Sequence, residues 1–117
     1  MADPFRSQVA ELKTDVAYLK FHAALNRLPD FSRYFKGEFD PKCLASMKIC
    51  NSIDYFQRAW DEAAAGDPAT APVMEVQIPS VYDDSMAPAG HHVMSVWGLY
   101  APVRPNAGSW DELREQV

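Results

Sequence analysis

Cysteine is scarce in this chain, which has only Cys43 and Cys50 among its 117 residues. Small secreted domains that lack a large core are usually held together by several disulfides, and two cysteines are too few for such a framework. We therefore expect a reducing compartment. The cytoplasm is the first expectation, with the mitochondrion as the alternative.

Positive charge and long apolar runs are also lacking. Eleven Lys and Arg residues against sixteen Asp and Glu residues give a net charge of −5. Nucleic acids and anionic membranes are bound by basic patches, so the composition argues against both partners. No apolar run approaches the roughly 20 residues that cross a bilayer. The first twenty residues do not have the charged-then-apolar pattern of a secretory signal.

Glycine is too dispersed to form a dinucleotide-binding turn. Such a turn needs a Gly-x-Gly-x-x-Gly sequence, so that backbone amides can approach the pyrophosphate at a helix N-terminus. The five glycines instead occur singly, at Gly37, Gly66, Gly90, Gly98 and Gly108. We expect no dinucleotide-binding domain and no cofactor bound by this chain.

Three segments are predicted to be helical. The first begins at Asp3-Pro4, an N-cap acceptor followed by proline. The second is capped by Asn51 or Ser52 and ends at Gly66, and the third begins with a capping box at Ser109. Only eight residues follow Ser109, which predicts that this last helix is cut. Apolar stripes are predicted at Phe5, Val9, Leu12 and Val16 in the first helix, and at Ile53, Phe56, Trp60 and Ala63 in the second.

Four segments have the period of two that is typical of strands. They run from about Ala17 to a point before Leu28, from Leu44 to Cys50, from Met74 to Ile78 and from Val93 to Tyr100. The sequence therefore predicts that residues 1–117 form one α+β domain, with the elements in the order α-β-β-α-β-β-α. We expect a mixed or antiparallel sheet of about four strands with helices packed on it. The last strand is apolar on both faces, so both faces are expected to be covered.

The stretch from Pro72 to Pro102 carries a family resemblance. Its IPSVYDDSMAPAGHHVMSVWGLYAP, followed by GSWDELRE from Gly108, resembles the phytoene-desaturase-like FAD-dependent oxidoreductases. Within them it is most similar to the branch of pyridine-nucleotide-disulphide-oxidoreductase-domain proteins. The match extends back through SIDYFQRAWDEAAAGDP and FHAALNRLPDF, so it covers most of the chain.

The resemblance implies an internal fragment of the substrate domain of a larger flavoprotein. In that family, FAD is held by segments at the two ends of a much longer chain, and the flavin accepts hydride. The substrate domain contributes a sheet to the cavity that faces the flavin. Trp97 and Tyr100 would then line this cavity, since aromatic faces suit long apolar or polyene-like substrates. The alternative for both residues is plain core packing.

Other candidate sites have little support in the sequence. His91 and His92 are neighbours in a strand and point to opposite faces, so they do not readily share a metal. Cys43 and Cys50 are separated by more residues than zinc ligand pairs usually are, and we expect no metal site. The acidic pairs Asp83-Asp84 and Asp61-Glu62 suit acid–base chemistry only if burial raises a pKa. A solvated turn is the simpler interpretation for the first pair. The serines Ser80, Ser85 and Ser95 lack the context of a hydrolase nucleophile.

Two functions follow from these patterns. The first is a substrate-domain fragment of an FAD-dependent oxidoreductase, without catalytic residues of its own and inactive alone. The second is a non-catalytic interaction module or assembly subunit derived from that domain. In both, an exposed apolar sheet surface is expected to bind a second copy or a flavin domain.

Overall fold

A computed structural model describes residues 3–14, 16–35 and 37–114. The helices are α1 (Pro4–Ala10), α2 (Ile53–Ala64) and α3 (Trp110–Leu113), and the strands are β1 (Val16–Leu25), β2 (Ser46–Ile49), β3 (Val73–Gln77) and β4 (His92–Pro102). The strands form one sheet of order β1-β4-β3-β2. All three neighbouring pairs are antiparallel. The predicted α+β class, element order and antiparallel arrangement are confirmed.

Local capping signals begin and end the helices where the sequence predicts. The Ser52 hydroxyl accepts a hydrogen bond from the amide of Tyr55 and caps α2. Gly66 follows α2 with a φ of +92°, a backbone conformation that glycine adopts without a Cβ penalty. Ser109 and Glu112 form the complete capping box of α3. The predicted continuation of this helix beyond Arg114 lies outside the described residues.

The predicted apolar stripe of the first helix is wrong, and that of the second is correct only in part, since Ala63 is buried and Phe56 and Trp60 contact Tyr100 but Ile53 is exposed. Val16 belongs to β1, because the helical spacing of the sequence continues by chance beyond the end of α1. Every residue of α1 is exposed, so this helix does not pack on the sheet. In α2 the side chain of Ile53 is 86% exposed, while Ala59 and Ala63 are buried. Small alanine side chains allow a helix backbone to approach the sheet closely, which explains why they form the buried line.

Two strand boundaries also differ from the prediction. The segment Pro41–Ala45 is a 3-10 turn, and Leu44 is buried in it, so β2 starts only at Ser46. Ile78 lies beyond the end of β3 and is fully buried. The long connection to β4 contains two further 3-10 turns. A 3-10 turn can bury a single apolar side chain in the core, and its sequence does not need the alternating apolar and polar residues of a strand.

The sheet has one apolar face and one polar face. On the apolar face, two rows of side chains cross all four strands: Leu19, Gly98, Met74 and Ile49, then Phe21, Val96, Val76 and Met47. On the other face a row contains Lys20, Trp97, Glu75 and Lys48. We call the first set the apolar sheet face. Phe21 is 56% and Ile49 43% exposed, so this face is open at its two edges, whereas every residue of β4 is at least partly buried, as predicted for that strand.

The shape of the chain is elongated. Its radius of gyration is 18.4 Å, whereas a compact domain of this length has about 13 Å. None of the helices in the described ranges is long and apolar enough to cross a membrane.

Gly66 and Gly90 offer a test of the loop that holds α2. An added Cβ at Gly66 would lie 2.7 Å from Oδ1 of Asn106, whereas one at Gly90 meets nothing within 4 Å. Asn106 Nδ2 is fixed by a 2.8 Å hydrogen bond to the carbonyl of Ala65. We therefore expect Gly90→Ala, with φ of +76°, to lower the free energy of unfolding by about 1 kcal/mol.

The companion variant Gly66→Ala should lower the free energy of unfolding by clearly more, because the collision with Asn106 adds to the same backbone strain. Urea denaturation of both variants measures the difference. Equal losses in the two variants would show that the contact between Asn106 and the end of α2 does not hold this loop.

Candidate binding site around Tyr100

Tyr100 lies at an irregularity in the pairing of β1 with β4. Ala17 is paired with Ala101 and Tyr18 with Leu99, which leaves Tyr100 without a partner on β1. An extra residue of this kind is a β-bulge, and bulges redirect side chains next to binding sites. The sequence predicts simple alternation through Tyr100, and the structure corrects this point.

The redirected ring of Tyr100 packs under α2. Its centroid lies 5.5 Å from that of Phe56 and 5.0 Å from that of Trp60. Both pairs are edge-to-face, with interplanar angles of 88° and 82°. This geometry is favourable for aromatic rings, so Tyr100 is fixed in its position.

Two clefts meet at Tyr100. The first has a volume of about 570 Å³, which is within the usual range of small-molecule sites. The second is smaller, at about 240 Å³, and lies along the apolar sheet face. The first cleft is lined by Lys13, Val16, Ala17, Tyr18, Trp60, Ala64, Leu99 and Tyr100. The second is lined by Leu19, Phe21, Pro68, Ala69, Pro72, Met74, Val96, Gly98, Tyr100, Ala101 and Trp110.

Trp97 lies apart from Tyr100, on the polar face of the sheet. Its ring is 4.6 Å from the ring of Tyr18, and the ammonium of Lys20 lies 3.1 Å from its centroid. Trp97 is not among the residues that line the two clefts at Tyr100. Its Nε1 atom and the hydroxyl of Ser95 are buried without a hydrogen-bond partner in the described part of the chain. The two aromatic residues predicted to bind substrate are therefore not brought to one cleft.

The histidine pair does not form a metal centre. His91 Nδ1 lies 3.2 Å from the carbonyl of Ala89, and His92 Nδ1 lies 3.1 Å from the hydroxyl of Ser80. That hydroxyl also accepts a hydrogen bond from the amide of Val93. Within residues 3–14, 16–35 and 37–114, no group of three or more His, Cys, Asp or Glu side chains is placed to hold a metal. His92 begins β4, one residue before the predicted start at Val93.

Ser80 is a residue whose role sequence reasoning missed. It is buried and links the turn after β3 to the start of β4 through His92 and Val93. The sequence places Ser80 twelve residues from His92, and no spacing rule relates two residues across so long a connection. Its proline neighbour, Pro79, was the only local signal, because it indicated a turn.

The acidic pairs are engaged in local hydrogen bonds. The side chain and the backbone amide of Ser85 both donate to Asp83 and lower the pKa of its carboxyl group. A lowered pKa is unsuited to a general acid, so the geometry agrees with a solvated turn. On α2, the Glu62 carboxylate accepts hydrogen bonds from the amide and hydroxyl of Thr70.

The described elements also do not fit a bound dinucleotide. A βαβ unit needs two parallel strands joined by a helix, whereas β2 and β3, which flank α2, are antiparallel neighbours. The N-terminus of α2 is occupied by the hydroxyl of Ser52 rather than by a glycine turn. The chain offers no cradle for the pyrophosphate of FAD among these elements.

The fold and the clefts together define an α+β sheet domain with an incompletely covered apolar face and an aromatic cleft. Comparison with known proteins adds a specific similarity. The chain is 30% identical over 118 aligned positions to the rat protein named pyridine nucleotide-disulfide oxidoreductase domain-containing protein 2. The mouse protein of the same name is 29% identical over 114 positions.

The similarity covers nearly all of this chain but only a small part of each relative. The alignments include 97% and 92% of this chain but only 20% and 19% of the rat and mouse proteins. The chain thus spans about a fifth of the length of these curated relatives. No family model and no solved structure matches the chain. The similarity supports the predicted relation to an oxidoreductase-domain protein.

The turn at Asp83 provides a pH-dependent test. The Ser85→Ala substitution removes the side-chain donor, so we expect the pKa of Asp83 to rise toward its usual value. Carboxyl carbon NMR during a pH titration measures this change. Asp30 is a matched internal control, because Ser32 donates to it in the same way and lowers its pKa.

The sign of the stability effect follows from the same shift. A carboxyl whose pKa is lowered by folding stabilises the folded state above its unfolded pKa, and this contribution is lost as the pH falls through the folded pKa. Ser85→Ala should therefore lose less stability on acidification than the parent chain. An unchanged pKa of Asp83 would contradict the assigned hydrogen bonds.

Proposed function

We propose that this chain forms part of the substrate domain of a phytoene-desaturase-like, FAD-dependent oxidoreductase. The observation that carries the proposal is the similarity of 97% of the chain to a fifth of a much longer oxidoreductase-domain protein. Within such a protein, FAD would be held by other segments, because the elements described here do not fit a dinucleotide. The chain alone is then inactive, and residues 1–117 are one partial domain.

The apolar sheet face supports this assignment. One complete row of apolar side chains, and a second interrupted only by Gly98, cross the sheet, yet Leu19 and Phe21 at its edge are exposed. An apolar sheet face that is left partly in water is favoured when it forms a wall of a cavity or an interface in a larger protein. A location in the cytoplasm or, alternatively, in the mitochondrion is part of the same proposal. Cys43 and Cys50 are both free thiols.

Tyr100 and Trp97 are the proposed substrate-binding residues. Tyr100 stands where the aromatic cleft meets the apolar sheet face, so an elongated apolar molecule can contact its ring from either cleft. Trp97 would contribute from the polar face, after the ammonium of Lys20 moves away from its ring. Both residues bind by their aromatic surfaces, and neither supplies a reacting group.

A second candidate function is a non-catalytic interaction module or assembly subunit. The same exposed apolar rows favour it, because large apolar patches promote association. In this case the sheet surface binds a second copy or a flavin domain, and no substrate is bound. The two candidate functions are distinguished by whether the clefts at Tyr100 bind a small apolar ligand.

The absence of a dinucleotide cradle gives the first functional test. The purified 117-residue chain is mixed with excess FAD, dialysed, and examined for visible flavin absorbance. We expect no retained flavin, and the apoprotein of an enzyme that binds FAD through a Gly-x-Gly-x-x-Gly turn, treated in the same way, serves as a positive control. Stoichiometric flavin on this chain would contradict the proposal that the cofactor is held by other segments.

The second test uses all-trans-retinol as an apolar polyene probe. Retinol binding is measured by quenching of tryptophan emission. We expect Tyr100→Ala to weaken binding about tenfold, since losing an aromatic contact and its buried area costs roughly 1.4 kcal/mol. Tyr100→Phe should bind like the parent chain, because the ring and not the hydroxyl makes the contact.

Tyr82→Ala is the matched control for this test. Tyr82 is an exposed tyrosine that lines neither cleft at Tyr100. Retinol binding that is absent, or is weakened equally by the changes at Tyr82 and Tyr100, would remove the support for a substrate site and favour the interaction module. Circular dichroism of each variant confirms that the fold is retained.

A further inference from the structure

The outer edge of β1 is an unusually complete edge strand. In the described sheet, β1 pairs only with β4, so its other edge presents free backbone amide and carbonyl groups. The strand has ten residues, Val16–Leu25, and contains neither proline nor glycine. Proteins usually protect such edges by shortness, bulges, proline or outward charges. The opposite edge strand, β2, has only four residues and carries the exposed Lys48.

The one lysine of β1 does not protect its edge. Apart from His22, Lys20 is the only ionisable basic residue from Val16 to Leu25. Its ammonium lies over the ring of Trp97, 3.1 Å from the centroid, on the inner side of the strand. The single pairing irregularity lies at one end, between Ala17 and Tyr18. The segment from Tyr18 to Leu25 is therefore regular and available to a further strand.

The absence of carboxylates on β1 makes this edge a surface along which a second copy of this chain can approach as that further strand. The chain has a net charge of −5, so two copies repel each other over much of their surfaces. β1 contains no Asp or Glu. Two copies that approach along β1 consequently bring no carboxylates of these strands together. A two-fold symmetric contact also requires a patch that is complementary to itself.

The register of such a pair follows from side-chain alternation. In an antiparallel pair with a two-fold axis at Phe21, Phe21 lies opposite Phe21 of the second copy and Leu19 lies opposite Ala23. On the polar face, Lys20 then lies opposite His22. An axis at Lys20 would instead place two ammonium groups opposite each other, which is destabilising. An axis at His22 would leave fewer residues of β1 paired.

We propose that β1 pairs antiparallel with β1 of a second copy, about an axis at Phe21, and that the two sheets become one. The apolar sheet faces of both copies then lie on the same side of the joined sheet. This pairing is made by backbone groups of β1, although Leu19 and Phe21 also line the second cleft at Tyr100. The cross-linking and sedimentation experiments measure the pairing without any ligand, so a failure to bind retinol does not decide it.

Disulfide trapping tests the register directly. In a Cys43→Ser, Cys50→Ser background, Phe21→Cys should form a covalent dimer on mild oxidation, because the two residues are directly opposite. Ala23→Cys, on the same face, should migrate as a monomer in non-reducing gel electrophoresis. Its two copies are displaced along the strands, and disulfides do not form when the Cα atoms are more than about 7 Å apart. Equal cross-linking of both variants, or none in either, would overturn the proposal.

Sedimentation of the full chain tests whether two copies associate through the edge of β1 or through the apolar sheet face. The parent chain should sediment at twice the 13.1 kDa of one copy. Phe21→Lys should reduce the mass to that of one copy, since it places two ammonium groups opposite each other. Ile49→Lys is the matched control, because Ile49 is on the same apolar sheet face but on the opposite edge strand.

The control variant should remain dimeric. If Ile49→Lys also abolishes the dimer, the copies associate through the apolar sheet face and not through the edge of β1, which contradicts the proposal. A parent chain that sediments as one copy at every concentration contradicts it too. Circular dichroism verifies that both lysine variants are folded.

Discussion

The structure depends on the central position of β4. This strand is paired on one side with β1 and on the other with β3, so every row of side chains that crosses the sheet passes through it. Because successive β4 residues point to opposite faces, Val96 belongs to an apolar row and Trp97 to a charged one. The contrast between the two faces of the sheet is thus set by the alternation within a single strand.

The bulge in β4 connects this sheet to the candidate site. Tyr100 is the residue left unpaired, and its ring meets the aromatic rings of Phe56 and Trp60 on α2. The cleft at Tyr100 therefore exists because the pairing of β1 and β4 is interrupted there. Uniform alternation would have placed Tyr100 among the apolar rows, like Val96.

Three surfaces of the chain are exposed although proteins usually cover surfaces of their kind. The apolar sheet face, the edge of β1 and the exposed helix α1 each present groups that proteins normally cover. Their presence in one chain agrees with a similarity that extends over only a fifth of longer relatives.

Local signals made part of the fold predictable from sequence. The caps at Ser52, Gly66 and Ser109 depend on residues within one helical turn, so their positions were predicted correctly. The period of two in β4 likewise predicted a strand covered on both faces, and every residue of β4 is at least partly buried. The expectation of a mixed or antiparallel sheet followed from connections too short for several crossover helices, and the sheet is antiparallel.

The remaining features depend on contacts between distant segments. Which face of α2 packs is decided by the sheet, which selected Ala59 and Ala63 over Ile53. The bulge at Tyr100 is set by the register of β1, about eighty residues earlier in the sequence. For the site, the resemblance suggested one cavity for Trp97 and Tyr100, whereas the structure places only Tyr100 at the two clefts. Alternation along β4 already separates these two positions, but it does not show the bulge that leaves Tyr100 unpaired.

Native-state amide hydrogen exchange tests the central role of β4 most directly. Because residues 95–99 of β4 are paired with both β1 and β3, the account predicts that their amides exchange more slowly than those of any other element, and that amides of α1 exchange almost freely. If β4 exchanges as rapidly as α1, the strand does not organise the sheet, and the account is contradicted.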